Sequence, residues 1–220
     1  MSGRSDLVKR IRVVVVFAVA FAFVESSVVV YLRALYYPLG FTLPLKEISS
    51  PHLIVELLRE LSTIVMLWAT ALLAGKLPWE RFGYFLIAFG VWDIFYYIWL
   101  KVLLAWPRVL TDWDVLFLVP IPWIAPVFAP VAISALMIVS GIIVLGRIGR
   151  QEWFKPTPIA WLLSLFACVG ILYSFMHDTE ATLHGALPSP YAFTWLIVGI
   201  ALLGVSLFLS CMKPRTTGSR

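Results

Sequence analysis

The stretch GKLPWERFG, residues 75–83, joins two long apolar runs and decides how this part of the chain folds. The run on each side exceeds the roughly 20 residues that a helix needs to cross the hydrocarbon core of a bilayer. Since so few residues separate the two runs, the connection must be a tight turn, and helices joined in this way pack antiparallel. The stretch therefore predicts a helical hairpin in a membrane.

The composition extends this prediction to the whole chain. Of its 220 residues, 61% are hydrophobic and only 13% are charged, against about 25% charged residues in a soluble domain. The mean hydropathy is +0.94, and the apolar residues form long runs, which indicates spanning helices rather than a large core. Cys168 and Cys211 lie inside apolar runs and form no disulfide or metal-binding pattern. We therefore expect residues 1–220 to form one integral membrane domain.

The fold class that we predict is all-α, a polytopic bundle of six transmembrane helices with a proline-broken fourth segment. That segment contains LVPIPWIAPVFAP, residues 118–130, in which each of four prolines removes a backbone donor. We expect a broken or re-entrant start to this span, with Asp112 and Asp114 as its capping residues. The spans are predicted at about 12–36, 52–75, 81–104, 117–146, 157–177 and 190–212.

Basic residues cluster before the first span, after the last one and in alternate connections between them. By the positive-inside rule these groups mark the cytoplasmic side, so we expect a multi-pass protein of the cell membrane with both termini in the cytoplasm. Basic residues at span ends favour the lipid bilayer as partner and give no signal for nucleic acid. The residues concerned are Arg4, Lys9, Arg10, Arg12, Lys76, Arg81, Arg147, Arg150, Lys155, Lys213, Arg215 and Arg220.

A row of ionisable residues interrupts the second span. PHLIVELLREL, residues 51–61, places His52, Glu56 and Glu60 at steps of four, which puts them on one helical face. Glu25 and Asp93 lie near the middle of the first and third spans. A charged side chain at that depth costs at least about 2.5–3.5 kcal/mol, so such residues normally face the interior of a bundle. We therefore predict that these five side chains line one polar cavity in the outer half of the membrane.

A second row follows the fifth span. YSFMHDTEATLHG, residues 173–185, places His177, Glu180 and His184 on one face of a continuing helix. Imidazole nitrogens together with carboxylate oxygens favour zinc or iron over magnesium. The chain resembles the alkaline ceramidase and adiponectin-receptor group in one feature, the placement of candidate zinc-binding histidines inside a helical bundle. That group has seven helices, whereas six are predicted here.

The leading hypothesis is an intramembrane divalent cation, zinc or iron, that activates water to hydrolyse a lipid-like substrate. Glu60 and Asp93 are the predicted catalytic residues. The full ligand set requires the second span to pack beside the fifth, because its members come from both. Without that packing, Glu56 and Glu60 could still bind a metal together with Glu25 and Asp93. The predicted ligands are His52, Glu56, Glu60, Glu25, His177, Glu180 and His184.

Other functions stay open at this point, and with them whether the protein is an enzyme. A proton- or cation-coupled transporter would use Glu25, Glu60 and Asp93 as a relay. A non-catalytic subunit or assembly factor would combine with other membrane proteins or with copies of itself, which suits a chain with short loops. The carboxylates would serve structure alone if they formed ion pairs with one of three bases, Arg59, Arg33 or Lys101.

Overall fold

The described part of the protein is a bundle of six long helices with one short β-hairpin. The computed structural model describes residues 2–37, 50–118, 121–150, 152, 154–177, 179 and 190–212. Each of the six helices is long and apolar enough to cross a membrane. The predicted six-helix membrane bundle is therefore confirmed. The elements are α1 Ser2–Tyr36, α2 Ser50–Ala74, α3 Pro78–Leu104, β1 Trp113–Phe117, β2 Trp123–Pro126, α4 Phe128–Gly149, α5 Pro158–Met176 and α6 Phe193–Cys211.

Connections alternate between two ends of the bundle. We call the end that carries residues 105–118 and 121–127 the hairpin end, and the end that carries residues 75–77, 150, 152 and 154–157 the basic end. The turn between α2 and α3 is tight, as predicted. Its Lys76 and Leu77 N–H groups donate to the Glu80 carboxylate at 2.8 and 3.2 Å, and Pro78 occupies the first turn of α3, where its missing N–H costs nothing.

The fourth span differs from the prediction. It was expected to start at 117, but α4 begins at Phe128, and the segment before it forms the antiparallel hairpin of β1 and β2. Prolines exclude a helix here, whereas pairing between two strands still satisfies the remaining backbone groups. The predicted capping role is also wrong. Asp112 accepts the N–H groups of Arg108 and Val109 in the turn before β1, and Asp114 lies within β1.

Helix α3 is the centre of the bundle and packs against α1, α2 and α4. Its contact with α4 is close because small residues face each other. A Cβ added at Gly90 would lie 2.5 Å from the backbone oxygen of Ser134, and one at Gly141 would lie 2.6 Å from that of Gly83. This close approach fixes the position of Ser134 relative to the middle of α3.

Helices α5 and α6 form a second unit that packs against β2 and α4. The two helices meet at Gly199, where an added Cβ would lie 2.5 Å from the Ile171 side chain. The Ser164 and Ser206 hydroxyls also bond across this contact at 2.7 Å. Because this pair stands beside α3 and α4, a long space is left between the two units.

Candidate functional site

Of the five residues predicted to line one polar cavity, four do so and His52 does not. The cavity lies at the hairpin end, between α1, α2, α3 and β1. It has a volume of about 150 Å³, and we call it the carboxylate cavity. Two arginines, Arg33 and Arg59, also line it. The cavity therefore brings together acids from four different elements. These are Glu25, Glu56, Glu60, Asp93 and Asp114.

Arg59 joins two of these acids. Its guanidinium donates to both oxygens of Glu56, at 2.9 Å and 2.5 Å, and to one oxygen of Glu25. The Thr63 hydroxyl donates to the other Glu25 oxygen at 3.2 Å. Arg59 lies three residues after Glu56, so the pair shares one face of α2, while Glu25 comes from α1. Ion pairing with Arg59, one of the alternatives weighed for the carboxylates, therefore accounts for Glu25 and Glu56.

A second ion pair connects α1 to the hairpin. Arg33 lies 3.3 Å from Asp114, and its guanidinium stacks 3.8 Å above the Trp106 ring. Burial raises the pKa of the Asp114 carboxyl to about 6, although Arg33 and the nearby Tyr97 hydroxyl favour the ionised form. Asp114 Oδ2 lies outside hydrogen-bonding geometry with any described residue. This buried oxygen is therefore an acceptor with spare capacity.

Glu60 and Asp93 have neutral donors in the described part of the chain. Both Glu60 oxygens accept the backbone N–H of Leu118, at 3.0 and 2.9 Å. Asp93 Oδ2 accepts from the Ser134 hydroxyl at 2.8 Å. Both residues are buried, and a carboxylate retains further lone pairs after one such bond. They are the acids of the cavity that have the most capacity left for a ligand.

His52 and His177 do not join this cluster. His52 is exposed at the rim, where its Nδ1 lies 2.6 Å from the hydroxyl of Tyr36. His177 caps the end of α5, which packs on α6 and β2, whereas α2 packs on α3 and α1. Among the described residues, no group of three or more His, Cys, Asp or Glu side chains could hold a metal ion. Glu180 and His184 lie outside the described residues.

A second space adjoins the carboxylate cavity. It has a volume of about 550 Å³, lies between the α3–α4 and α5–α6 pairs, and is called here the apolar groove. It reaches from Trp79 near the basic end to Phe117 and Trp123 at the hairpin end. On α3 alone, the 14 helical steps from Trp79 to Asp93 cover roughly 21 Å. Its volume falls in the range of about 300–1,000 Å³ that is usual for ligand sites.

The two spaces share a wall. Asp93, Leu116 and Phe117 line both the carboxylate cavity and the apolar groove. The sequence identified Asp93 by its depth in the third span, but it assigned neither Asp114 nor the hairpin to the site. The signal for them was WDVLF, residues 113–117, a β-prone segment bounded by prolines that no helix can span.

Fold and site together define a multi-pass membrane protein with a partly ion-paired carboxylate cavity beside an apolar groove. Comparison with protein-family models, with curated proteins and with solved structures gave no match to this chain.

Proposed function

We propose that this protein binds a lipid-like amphiphile, with the polar head in the carboxylate cavity and the chain in the apolar groove. The observation that supports this is the shared wall, since Asp93, Leu116 and Phe117 line both spaces. A polar space and an apolar space that meet side by side match the two parts of an amphiphile. A purely structural ion-pair network would not need the groove.

The same arrangement supports a hydrolytic role. In a bound amphiphile, the bond between head and chain would lie at the shared wall, next to Asp93. A cavity of about 150 Å³ has room for several water molecules. In this proposal Asp93, oriented by Ser134, takes a proton from the attacking water as its oxygen bonds to the substrate. Protonated Glu60 gives a proton to the leaving group as the bond between head and chain breaks.

Binding is tested by filling the groove. Met137 lines it, whereas Val139 on the same helix is exposed. Met137→Trp should sharply reduce the amount of lipid that co-purifies with the protein in mild detergent, measured by mass spectrometry of the extract. Val139→Trp adds the same bulk outside the groove and should retain the lipid. Equal retention by both variants would contradict the proposal.

Hydrolysis is tested with Asp93→Asn, which keeps an acceptor for Ser134 but cannot take up the proton. If Asp93 is the base, turnover of a lipid extract should fall by about 10²–10⁴-fold, the range for loss of one acid–base group. Glu152→Gln, at an exposed acid of the basic end, is the control and should keep full turnover. Absence of turnover in the unmodified protein would leave binding as its function.

Cation or proton transport is the second candidate, and hydroxyl groups in the groove favour it. Ser134, Ser164, Ser206 and Ser210 line the groove from the level of Asp93 towards the basic end. Protein reconstituted in liposomes that contain a pH-sensitive dye should then conduct protons. The Asp93→Asn variant should lose that flux, whereas Glu152→Gln should keep it.

The orientation of the bundle follows from its charges. We propose that the basic end faces the cytoplasm and the hairpin end faces outwards. Thr111 and Arg150 are exposed at the two ends, so each can be replaced by cysteine. A membrane-impermeant thiol reagent should label the Thr111→Cys variant in intact cells and should not label Arg150→Cys. The opposite pattern would invert the topology.

The metal prediction stays a prediction, because two of its ligands, Glu180 and His184, lie outside the described residues. It expects about one zinc or iron ion per purified chain. Acid should release the ion, since protons compete for imidazole and carboxylate ligands. Elemental analysis of the purified protein is the measurement, and a metal content at background would end this interpretation.

A further inference from the structure

The carboxylate cavity has a strong excess of acids. Five acidic side chains and two arginines line it, and both arginines already face carboxylates: Arg59 holds Glu25 and Glu56, and Arg33 holds Asp114. A phosphate or carboxylate head group would have to compete with these acids for the same two cations. The charge of the cavity therefore disfavours an anionic ligand.

Three acids offer acceptors that the described part of the protein does not saturate. Glu60 and Asp93 accept from neutral donors only. Asp114 is 3% exposed, yet its Oδ2 has no hydrogen bond to a described residue. A buried acceptor without a donor is costly. A ligand rich in N–H donors would remove that cost at several positions at once.

Aromatic rings complete the wall. Trp92, Tyr96 and Tyr97 line the same cavity. Trp92 and Tyr96 stack with centroids 6.4 Å apart, and Tyr96 meets Tyr97 edge-on at 4.9 Å. Ring faces attract cations, as Arg33 above Trp106 already illustrates in this protein. Carboxylates and aromatic rings in one small cavity are the surroundings that suit an organic cation.

We propose that the head group bound in the carboxylate cavity is a protonated amine, so that the ligand is a long-chain amphiphile with an amine in its head group. The inference rests on the proposed function, because the chain of this amine would occupy the apolar groove. An ammonium has three donors and no acceptor, which complements Glu60, Asp93 and Asp114. The Trp92 indole N–H, buried without an acceptor among the described residues, is left for a water or a hydroxyl oxygen of the ligand.

The test compares four probes. Dodecylamine, dodecanol and dodecyl phosphate carry the same alkyl chain with different head groups, and butylamine is an amine with a short chain. Full-length protein in phosphatidylcholine nanodiscs is titrated with each probe by calorimetry. The heat that remains with the Met137→Trp variant, whose groove is filled, is subtracted because it reports partition of the probe into the lipid of the nanodisc. Dodecylamine should bind roughly 10- to 100-fold more tightly than dodecanol, the range that hydrogen bonds to charged groups supply. Butylamine and dodecyl phosphate should bind more weakly still.

Variants then locate the amine. Glu60→Gln and Asp93→Asn keep acceptors for Leu118 and Ser134 but remove a charge, so the fold should be retained. Each should reduce the preference for dodecylamine over dodecanol by about tenfold, because an ammonium loses more than a neutral hydroxyl when the carboxylate loses its charge. Glu152→Gln, outside the cavity, should preserve the preference.

The outcomes separate the two proposals. If none of the three long-chain probes gives signal beyond that of Met137→Trp, the proposed function fails. If dodecanol or dodecyl phosphate binds as tightly as dodecylamine, the proposed function stands and the amine inference is wrong. The inference is also overturned if the variants lose dodecanol and dodecylamine binding equally.

Discussion

Replacing Arg59 by methionine leaves Glu25 and Glu56 in the cavity without their common cation. The side chains are largely buried, with exposed fractions of 21% for Arg59, 9% for Glu25 and 11% for Glu56. Removing one partner from a buried ion pair costs about 3–5 kcal/mol, because the remaining charge has lost both water and its counterion. At about 2–4 °C per kcal/mol for a chain of this length, the melting temperature should fall by about 6–20 °C.

The control is another arginine with an acidic partner, but at the surface. Arg150 lies 3.6 Å from Glu152, and its side chain is 74% exposed. An exposed pair contributes about 0–1 kcal/mol, so Arg150→Met should lower the melting temperature by at most about 4 °C. Both variants are compared by intrinsic tryptophan fluorescence during heating in the same detergent.

A rescue variant tests the cause. Adding Glu25→Gln and Glu56→Gln to Arg59→Met removes all three charges while keeping the side chains close to their original size. Replacing a whole buried ionic group is often neutral, so most of the lost melting temperature should return. The reasoning would be refuted if Arg59→Met were no worse than Arg150→Met, or if the triple variant melted no higher than Arg59→Met alone.

Two further predictions follow from the packing and from the pKa of Asp114. The Gly90→Leu variant should melt well below the Gly146→Leu variant. An added Cβ lies 2.5 Å from the Ser134 backbone oxygen at Gly90, whereas at Gly146 it meets nothing within 4 Å. Equal melting temperatures would contradict the close α3–α4 contact. The Asp114 pKa of about 6 lies above its ordinary value of about 3.9, so this group stabilises the fold below about pH 4 and the effect is lost as pH rises through 6. Between pH 5 and 7.5 the free energy of unfolding should therefore fall by about 1 kcal/mol relative to that of Asp114→Asn, measured in paired melting curves. A difference between the two proteins that stays constant with pH would show that Asp114 does not titrate in this range.

Much of the site was predictable because burying charge in hydrocarbon is costly wherever it occurs. Glu25, Glu56, Glu60 and Asp93 stand out from apolar spans, and that cost alone sends them to the interior of a bundle. The structure places all four on one cavity. Which base would meet which acid was not predictable. Arg59 takes Glu25 and Glu56, and Lys101 instead donates to the backbone oxygen of Pro107.

The number of spans and the tight turn at 75–77 could be predicted because hydrophobic length and turn chemistry are local properties. The other features depend on tertiary packing. The hairpin of β1 and β2 brings Asp114 to Arg33, 81 positions away in the chain. Helix α2, which carries His52, packs on α3 and α1, whereas α5, which His177 follows, packs on α6 and β2. Contacts of this kind depend on which helices become neighbours, and helical periodicity fixes only the face on which a residue lies, not the helix that it meets.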